Sequence, residues 1–466
     1  GHWITVEGER IPNANPFQEG ATTAANYLLA QNESQANQVV ETLGAPNEET
    51  RFVMVDWKMA SVYSNAGGKF FAPPTFKENV SRSDFYERVY RQSQQGGLQH
   101  AFNLKSQNYY DSQLARLYLY HGSRVEAQPV VVDWRARQVQ TQSGELASIK
   151  ISESGPNATL VRRFQTMEQA EEFVANDSTS QIGGIAKFPS ETVEALDHYR
   201  VVHQSEASGA NNARWAQRLR TEMQLLLQSN AIRNPNAIFQ TSPSWVKTFE
   251  RVPGATVTGT APANTTVTAS VGLSPVGRNS TFTYRQEAET GPNGEFTMTL
   301  PYSSTGYENW GPDDGYTNVS VRATGPYKFY TPQSFEDGNV TFHNTTGAVT
   351  EAQVIGESDE PTTVELTETS VSLQQNTGNE STAEGDETAQ NGTSDDGTAP
   401  ANETADDETA TDATDNSTAG NATGDNSSNA SQLTPDDALP EREETVPARA
   451  GLLGAWAGGL VVAGRD

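Results

Sequence analysis

The chain has 466 residues, too many for one ordinary domain. Its net charge is −28, from 59 acidic against 31 basic residues, so it repels DNA, RNA and anionic lipid, and nucleic acid is excluded as a partner on this ground. It has no Cys, which excludes a disulfide scaffold, a thiol nucleophile and thiolate metal sites.

Only eight of the basic residues are Lys. An acidic, Lys-poor surface suits a halophile: at molar salt the screening length is about 3 Å, so crowded carboxylates repel little and still hold water. The six His are scattered and no pair has HExxH spacing. No protein-only catalytic metal site is expected within these residues.

The opening stretch, Gly1 to Pro16, alternates apolar residues at once through Trp3-Ile4-Thr5-Val6. It reads as the entry to a core, in a larger protein cut just upstream of Gly1. Two short helices are predicted between Pro16 and Gly44, over Ala21–Ala30 and Ser34–Leu43. Arg51-Phe52-Val53-Met54-Val55-Asp56-Trp57 is a near-continuous apolar run, a strand buried on both faces that ends in an acid. A helical pattern resumes from Trp57 to about Tyr63 and breaks at Gly67-Gly68.

Ser81 to about Gln95 reads as a helix, with a cap-like start and a stripe of Phe85, Val89 and Tyr90. Gln107 to Leu119 is aromatic-rich and ends in Tyr120-His121-Gly122. Strands are expected at Gln128–Trp134, Ala147–Ser152 and Ala158–Val161. Thr166–Gln169 is a capping box opening a helix through Phe173 and Val174. A helix over Glu191–His198 and a strand over Tyr199–Gln204 follow. Residues 1–240 thus form a mixed α/β (α+β) core domain.

The texture changes near Pro243. Short alternating runs at Thr266–Val271, Thr281–Tyr284, Phe296–Leu300 and Val319–Val321 predict an antiparallel β-sandwich over residues 241–355. Gly291-Pro292-Asn293-Gly294 is a hairpin-turn signal. This region is similar to the regulatory sandwich appended to carboxypeptidases, which implies a structural appendage. Residues 356–448 are Thr, Asp, Glu, Asn, Gly and Ser, and are expected to be a disordered, extended acidic stalk. Residues 449–466 are a short apolar tail, shorter than the roughly 20 residues of a membrane-spanning helix.

Asn-X-Ser/Thr occurs nine times between Asn32 and Asn344, and seven times in the stalk, where Asn402, Asn416, Asn421 and Asn426 are candidate glycosylation sites. The crowding points to an outward-facing chain.

Gly1-His2-Trp3-Ile4, then Ile11-Pro12-Asn13-Ala14-Asn15-Pro16-Phe17, then Val53-Met54-Val55-Asp56 resembles the archaeal catalytic subunit of oligosaccharyltransferase. The resemblance covers roughly residues 1–240. It implies a membrane enzyme with many spans before a soluble C-terminal half. That half carries a Trp-Trp-Asp-Tyr-Gly motif, of which Gly1 matches the last residue. A second family motif is an acid, Lys or Met three positions on, and an apolar residue four further. Asp56 and Met59 match; Tyr63 stands where Met or Ile is common; Lys58 sits one position before the family's usual Lys. The implied site is a pocket for the +2 residue of the sequon, built from Gly1, Asp56, Lys58, Met59 and Tyr63. The implied partners are an acceptor polypeptide with Asn-X-Ser/Thr, a dolichol-phosphate-linked oligosaccharide, and a membrane entered through N-terminal spans. The implied cofactor is Mn²⁺ or Mg²⁺, held by acids of the membrane half. The soluble part then sits on the extracellular face of the cell membrane and lacks activity by itself.

A +2 hydroxyl needs hydrogen-bond partners, and a Thr methyl needs an apolar contact such as Met59 gives. Asp56 also reads as a plain helix cap and Met59 as plain core. Two other readings exist: a non-enzymatic cell-surface glycoprotein with an acidic glycosylated stalk, and a hydrolase using Asp56 or Asp133.

Overall fold

The computed structural model describes residues 11–13, 20–43, 48–92, 97–133, 135–140, 146–152, 161–209, parts of 212–220, 244–278, 280–336, 339–372 and 460–464. Gly1, with the rest of the opening ten residues, and the stalk sequons at Asn402, Asn416, Asn421 and Asn426 lie outside the described residues.

The site-bearing sheet has the order β1 (Ile11–Pro12), β22 (Leu460–Gly464), β2 (Glu48–Asp56), β11 (Val246–Arg251) and β10 (Tyr199–Gln204). β2 pairs antiparallel with β11, placing Val55 opposite Lys247 and Asp56 opposite Val246. The segment expected to be an apolar tail therefore contributes a strand, β22, antiparallel to β2. Helices α1 (Ala21–Leu28) and α2 (Glu33–Glu41) form as predicted. Asn32 caps α2, accepting from the Gln35 N–H at 2.9 Å. Their Tyr27, Leu28, Ala36 and Val40 join Val53, Val55 and Phe249 in one core that runs on into the sandwich.

Beyond the one-turn helix α3 (Trp57–Ala60), the stretch expected to be helical to Tyr63 is extended. The helix expected over Ser81–Gln95 is instead a strand, β3 (Tyr86–Gln92), paired with β4 (Leu98–Lys105). The capping box at Ser81 and Asp84 does form, but opens only a single 3₁₀ turn. The misreading has a physical cause. Val89 packs into the core with Phe102 and Leu104 while the neighbouring Tyr90 is buried against His100, so both faces of the strand are covered and the alternation a half-exposed strand would show is lost.

Helices α4 (Gln107–Asp111) and α5 (Gln113–Tyr120) follow, separated at Ser112, which caps α5. β5 (Val130–Asp133) lies between β8 (Val161–Arg163) and β9 (Ser180–Gly183). β6 (Arg135–Gln140) and β7 (Leu146–Ser152) extend the β3–β4 sheet. Helix α6 (Met167–Asn176) starts at the Thr166 cap as predicted. Glu191–His198 is not a helix. Val193 bridges Val125, Leu196 N–H donates to Gly122 O at 2.7 Å, and Arg116 donates to Glu194 O and Ala195 O. Those distant partners take the backbone groups that a helix would use internally.

The sandwich has two sheets. One is β15 (Glu295–Leu300), β12 (Ala255–Thr260) and β20 (Thr362–Glu365), with β12 and β20 parallel. The other runs β14 (Phe282–Glu289), β13 (Thr266–Pro275), β17 (Tyr327–Tyr330), β19 (Asn339–Gly347) and β18 (Ser334–Glu336). Onto it pair β16 (Val321–Ala323) and β21 (Thr367–Ser372). Strands thus continue past residue 355, where stalk was expected. The Gly291–Gly294 turn joins β14 to β15, which lie in different sheets, so it is a crossing and not a hairpin. Gly294 is required there: its φ is +80, and a Cβ would fall 2.3 Å from Ala261 O.

The sandwich docks on the β10 edge. Ser320 N–H donates to Val202 O at 2.9 Å and Val201 N–H donates to the Tyr302 hydroxyl at 2.9 Å. Beside it lies a buried ion cluster. Arg200 donates to Glu250 at 2.8 Å and to Glu351 at 2.7 Å, and Arg51 reaches Glu250 at 2.6 Å. Glu351 is the first residue of the sandwich helix α7 (Glu351–Ile355). Ser303 and Thr317 hydroxyls donate to Glu351 and Glu250 respectively.

Candidate functional site

Asp56 ends β2 with extended backbone and caps α3, its Oδ1 accepting from Met59 N–H at 2.7 Å. Burial raises the Asp56 carboxyl above its usual range; the Met59 N–H and the charges of Lys69 and Lys58 oppose this. Met59 is buried, 6% exposed. Trp57 is 1% exposed and meets Trp245 edge-on, ring centroids 5.5 Å apart. Trp57 N–H donates to Trp245 O at 3.0 Å, and Trp245 N–H to Ala207 O at 2.7 Å. The Lys58 ammonium lies 5.2 Å from the Trp245 ring centre.

The segment after the turn folds back on it. Lys69 N–H donates to Lys58 O at 2.6 Å and Gly68 N–H to Tyr63 O at 2.8 Å. A Cβ on Gly68 would sit 2.4 Å from Ser61 O, so only glycine permits this approach. The Tyr109 hydroxyl donates to Ala60 O at 2.6 Å and fixes the other end.

The predicted site residues divide. Asp56, Lys58 and Met59 share one turn. Tyr63 engages the β3–β4 hairpin: its hydroxyl accepts the Asn103 N–H at 3.2 Å, and its ring faces His100 at 5.9 Å and the Arg218 guanidinium at 6.0 Å. Tyr63 and His100, together with Asn103 and Arg88, line a cavity of about 20 Å³, enough for one water. Burial, with repulsion from Arg218 and Arg88, pushes His100 down to about 3, so it is neutral; Asn103 Oδ1 lies 2.8 Å from its Nε2. Asp133 lies at the end of β5 and accepts from the Thr179 hydroxyl at 3.3 Å. It belongs to a different sheet from Asp56.

Sequence reading missed Trp245 and Lys69. Trp245 had no local signal, since it reaches the turn only through pairing of β11 with β2. Among the described residues, no three or more His, Asp or Glu converge to hold a metal. The residues here therefore do not fit the implied Mn²⁺ or Mg²⁺.

Taken together, the turn can offer one carboxylate, one buried thioether and a cation held against an indole. These groups make the turn a candidate binding site at a sheet end, with the sandwich packed against the same sheet. The family model described as the AglB core domain matches residues 1–60, which include this turn, and the one described as the archaeal glycosylation protein B long peripheral domain matches residues 254–359, within the sandwich. The chain is 50% identical over 370 residues to the dolichyl-monophosphooligosaccharide–protein glycotransferase AglB of Haloferax volcanii, covering 77% of this chain and 34% of that protein. It is 25% identical over 333 residues to dolichyl-phosphooligosaccharide-protein glycotransferase 3 of Archaeoglobus fulgidus, covering 65% and 32%. The chain spans about a third of the length of these curated relatives. The A. fulgidus oligosaccharyltransferase solved with Zn and sulfate aligns at a TM-score of 0.46 and 20% identity, over 78% of this chain and 40% of that one. The chain belongs to the archaeal oligosaccharyltransferase family.

Proposed function

We propose that this chain is the acceptor-recognising part of an oligosaccharyltransferase. The whole enzyme moves a glycan from a dolichol-phosphate-linked donor to the Asn of Asn-X-Ser/Thr. The turn at Asp56–Met59 senses the +2 residue, and this part has no transfer activity by itself. The supporting observation is a buried Met59 locked by the Asp56 cap, inside the segment that matches the AglB core domain. The match to glycotransferases favours this over a non-enzymatic surface glycoprotein.

The acceptor is a polypeptide carrying the sequon. The divalent ion, Mn²⁺ or Mg²⁺, belongs to the whole enzyme and lies outside the site described. The location is the extracellular face of the cell membrane. Among the described residues, no helix is long and apolar enough to cross a membrane. Asn402, Asn416, Asn421 and Asn426 are candidate acceptors of the same chemistry.

Burying one extra methyl is worth about 0.8 kcal/mol, roughly a fourfold preference for Thr over Ser. An acceptor with no +2 hydroxyl leaves polar partners unpaired and is rejected more strongly. In the whole enzyme, Met59→Ala should bring the Thr-to-Ser ratio of kcat/KM down towards one. An unchanged ratio rules Met59 out of the pocket.

A further inference from the structure

Nine Asn-X-Ser/Thr tripeptides precede the stalk, and seven of them lie in described residues. Transfer to a folded chain needs an Asn amide free of partners and a +2 hydroxyl that can leave its own contacts. Six of the seven fall short. Asn32 Oδ1 accepts from Gln35 N–H at 2.9 Å, and Asn176 Nδ2 donates to Glu172 O at 2.8 Å. Asn339 and Asn344 sit in β19, each paired to a strand on both sides. Ser320, two residues after Asn318, is docked on β10 through both its N–H and its hydroxyl. Thr266, two residues after Asn264, begins β13 opposite Glu289 and donates to it at 2.5 Å.

Asn79 differs. It stands exposed in a turn at φ +57, a left-handed conformation that Asn tolerates, and its side-chain amide makes no hydrogen bond among the described residues. Ser81 is exposed too, and is bonded within its own 3₁₀ turn, to Asp84 at 2.8 and 2.9 Å and to Ser83 at 2.8 Å. Val80 between them is half-buried. Presenting these three residues costs a local cap and one partial apolar contact, not a strand ladder or a domain contact.

Two residues before Asn79, and so within about 7.6 Å between Cα atoms, Lys77 lines a groove of about 490 Å³ beside α1 and α2. Thr23, Asn26, Gln35 and Gln38 line it as well, and no carboxylate does among the described residues, in a chain with 59 acidic ones. An amide is donor and acceptor at once, as a sugar hydroxyl is, and the Asn26 and Gln38 amides have no partner among the described residues. The volume lies within the range of small-ligand sites, roughly 300–1,000 Å³.

We propose that Asn79 is an acceptor of the glycan in the folded chain, and that the first sugars attached there lie in the groove beside α1 and α2. Asn79 Nδ2 bonds to the anomeric carbon of the lipid-linked donor as that carbon's bond to the phosphate oxygen breaks. The phosphate leaves with the electron pair, and the amide gives up one proton. No oxidant or reductant takes part. The inference rests on the oligosaccharyltransferase reading above, which supplies the donor.

The test is to purify the whole enzyme from its own membranes, cut it with trypsin and read the peptides by mass spectrometry. Cleavage after Lys77 and Arg82 isolates Asn79 in the peptide 78–82. That peptide should carry a glycan mass in most copies, while those holding Asn32, Asn176, Asn318 and Asn344 stay bare. An unmodified Asn79 overturns the proposal, and so does equal occupancy at the four tied sites. The transferase reading is judged separately, by whether the same membranes glycosylate a synthetic peptide carrying Asn-Val-Ser. For the groove, Asn79→Gln removes the glycan, whereas Asn26→Ala with Gln38→Ala leaves it attached. Each should lower the thermal midpoint by about 1–3 °C, and the combined variant should lose no more than either one. Additive losses overturn the groove assignment. An equal loss from Asn26→Ala with Gln38→Ala in the full chain made without glycosylation overturns it as well.

Discussion

Glu351→Ala is the most informative perturbation of this fold, because it removes one charge from a closed buried account. The cluster holds two guanidinium groups, Arg51 and Arg200, and two carboxylates, Glu250 and Glu351. The Arg200 side chain is 2% exposed, Glu250 1% and Glu351 2%. Without Glu351, the Arg200 Nη1 and Nη2 donors lose partners at 2.8 and 2.7 Å, and Ser303 loses its acceptor. Breaking one partner of a buried ion pair costs about 3–5 kcal/mol. Denaturant unfolding at low and at molar salt should show that loss undiminished, since a buried pair is little screened. Replacing the group together (Arg51→Met, Arg200→Met, Glu250→Leu, Glu351→Met) should cost far less than the single change, or nothing. A loss under about 1 kcal/mol for Glu351→Ala, or a quadruple variant worse than the single one, refutes the reasoning. Acid adds a second check. Burial pushes Glu250 up, but Arg200 and Arg51 pull harder and leave it below its usual range. Its contribution is present above the unfolded carboxylate pKa and is lost as pH falls through the lower folded value.

Lys247 is fully buried, donating to Tyr118 O at 2.6 Å and lying 2.7 Å from His121 Nε2, and burial, with repulsion from Lys187, brings it down to about 7 from 10.5. With His121 and Tyr118 as its other titratable neighbours, the folded state gives up this proton before the unfolded state does, so stability should rise between about pH 7 and 10.5. Lys247→Met should flatten that rise in thermal unfolding across pH. Gly68→Ala forces its Cβ onto Ser61 O and should cost about 1–3 kcal/mol, read by denaturant midpoint, while also disturbing Thr-over-Ser selection. Asp56→Ala removes the cap of a one-turn helix and should cost about 1 kcal/mol by the same measurement.

What could be read from sequence was whatever short-range chemistry decides. Arg51–Asp56 declared itself as a strand through apolar residues, and Asp56 as a cap through its place before Trp57. Thr166 did the same for α6. Where the deciding partners are distant, local pattern misled. Burial of Val89 and Tyr90 on opposite sides of β3 imitates a helical stripe, and only pairing with β4 reveals the strand. Glu191–His198 is held extended by Val125, Gly122 and Arg116. The sandwich was expected as an appendage, yet Arg200 meets Glu351 across 151 residues, a contact no window of sequence contains.

These long-range contacts bear directly on the site. A four-residue helix has no stability of its own, because nucleation outweighs so few hydrogen bonds. The turn at Trp57–Ala60 persists because it is pinned from several sides: by the Asp56 cap, Trp245 O, the Tyr109 hydroxyl and the Lys69 N–H. The proposed discrimination of Thr from Ser by one methyl would demand such rigidity. A mobile turn would close equally well on either side chain, and roughly 0.8 kcal/mol is soon lost to relaxation. The sheet that carries the turn is held in turn by the sandwich, through Arg200 and the Ser320 and Tyr302 contacts on β10. The sandwich is therefore coupled through β11 and β2 to the turn proposed to read the acceptor.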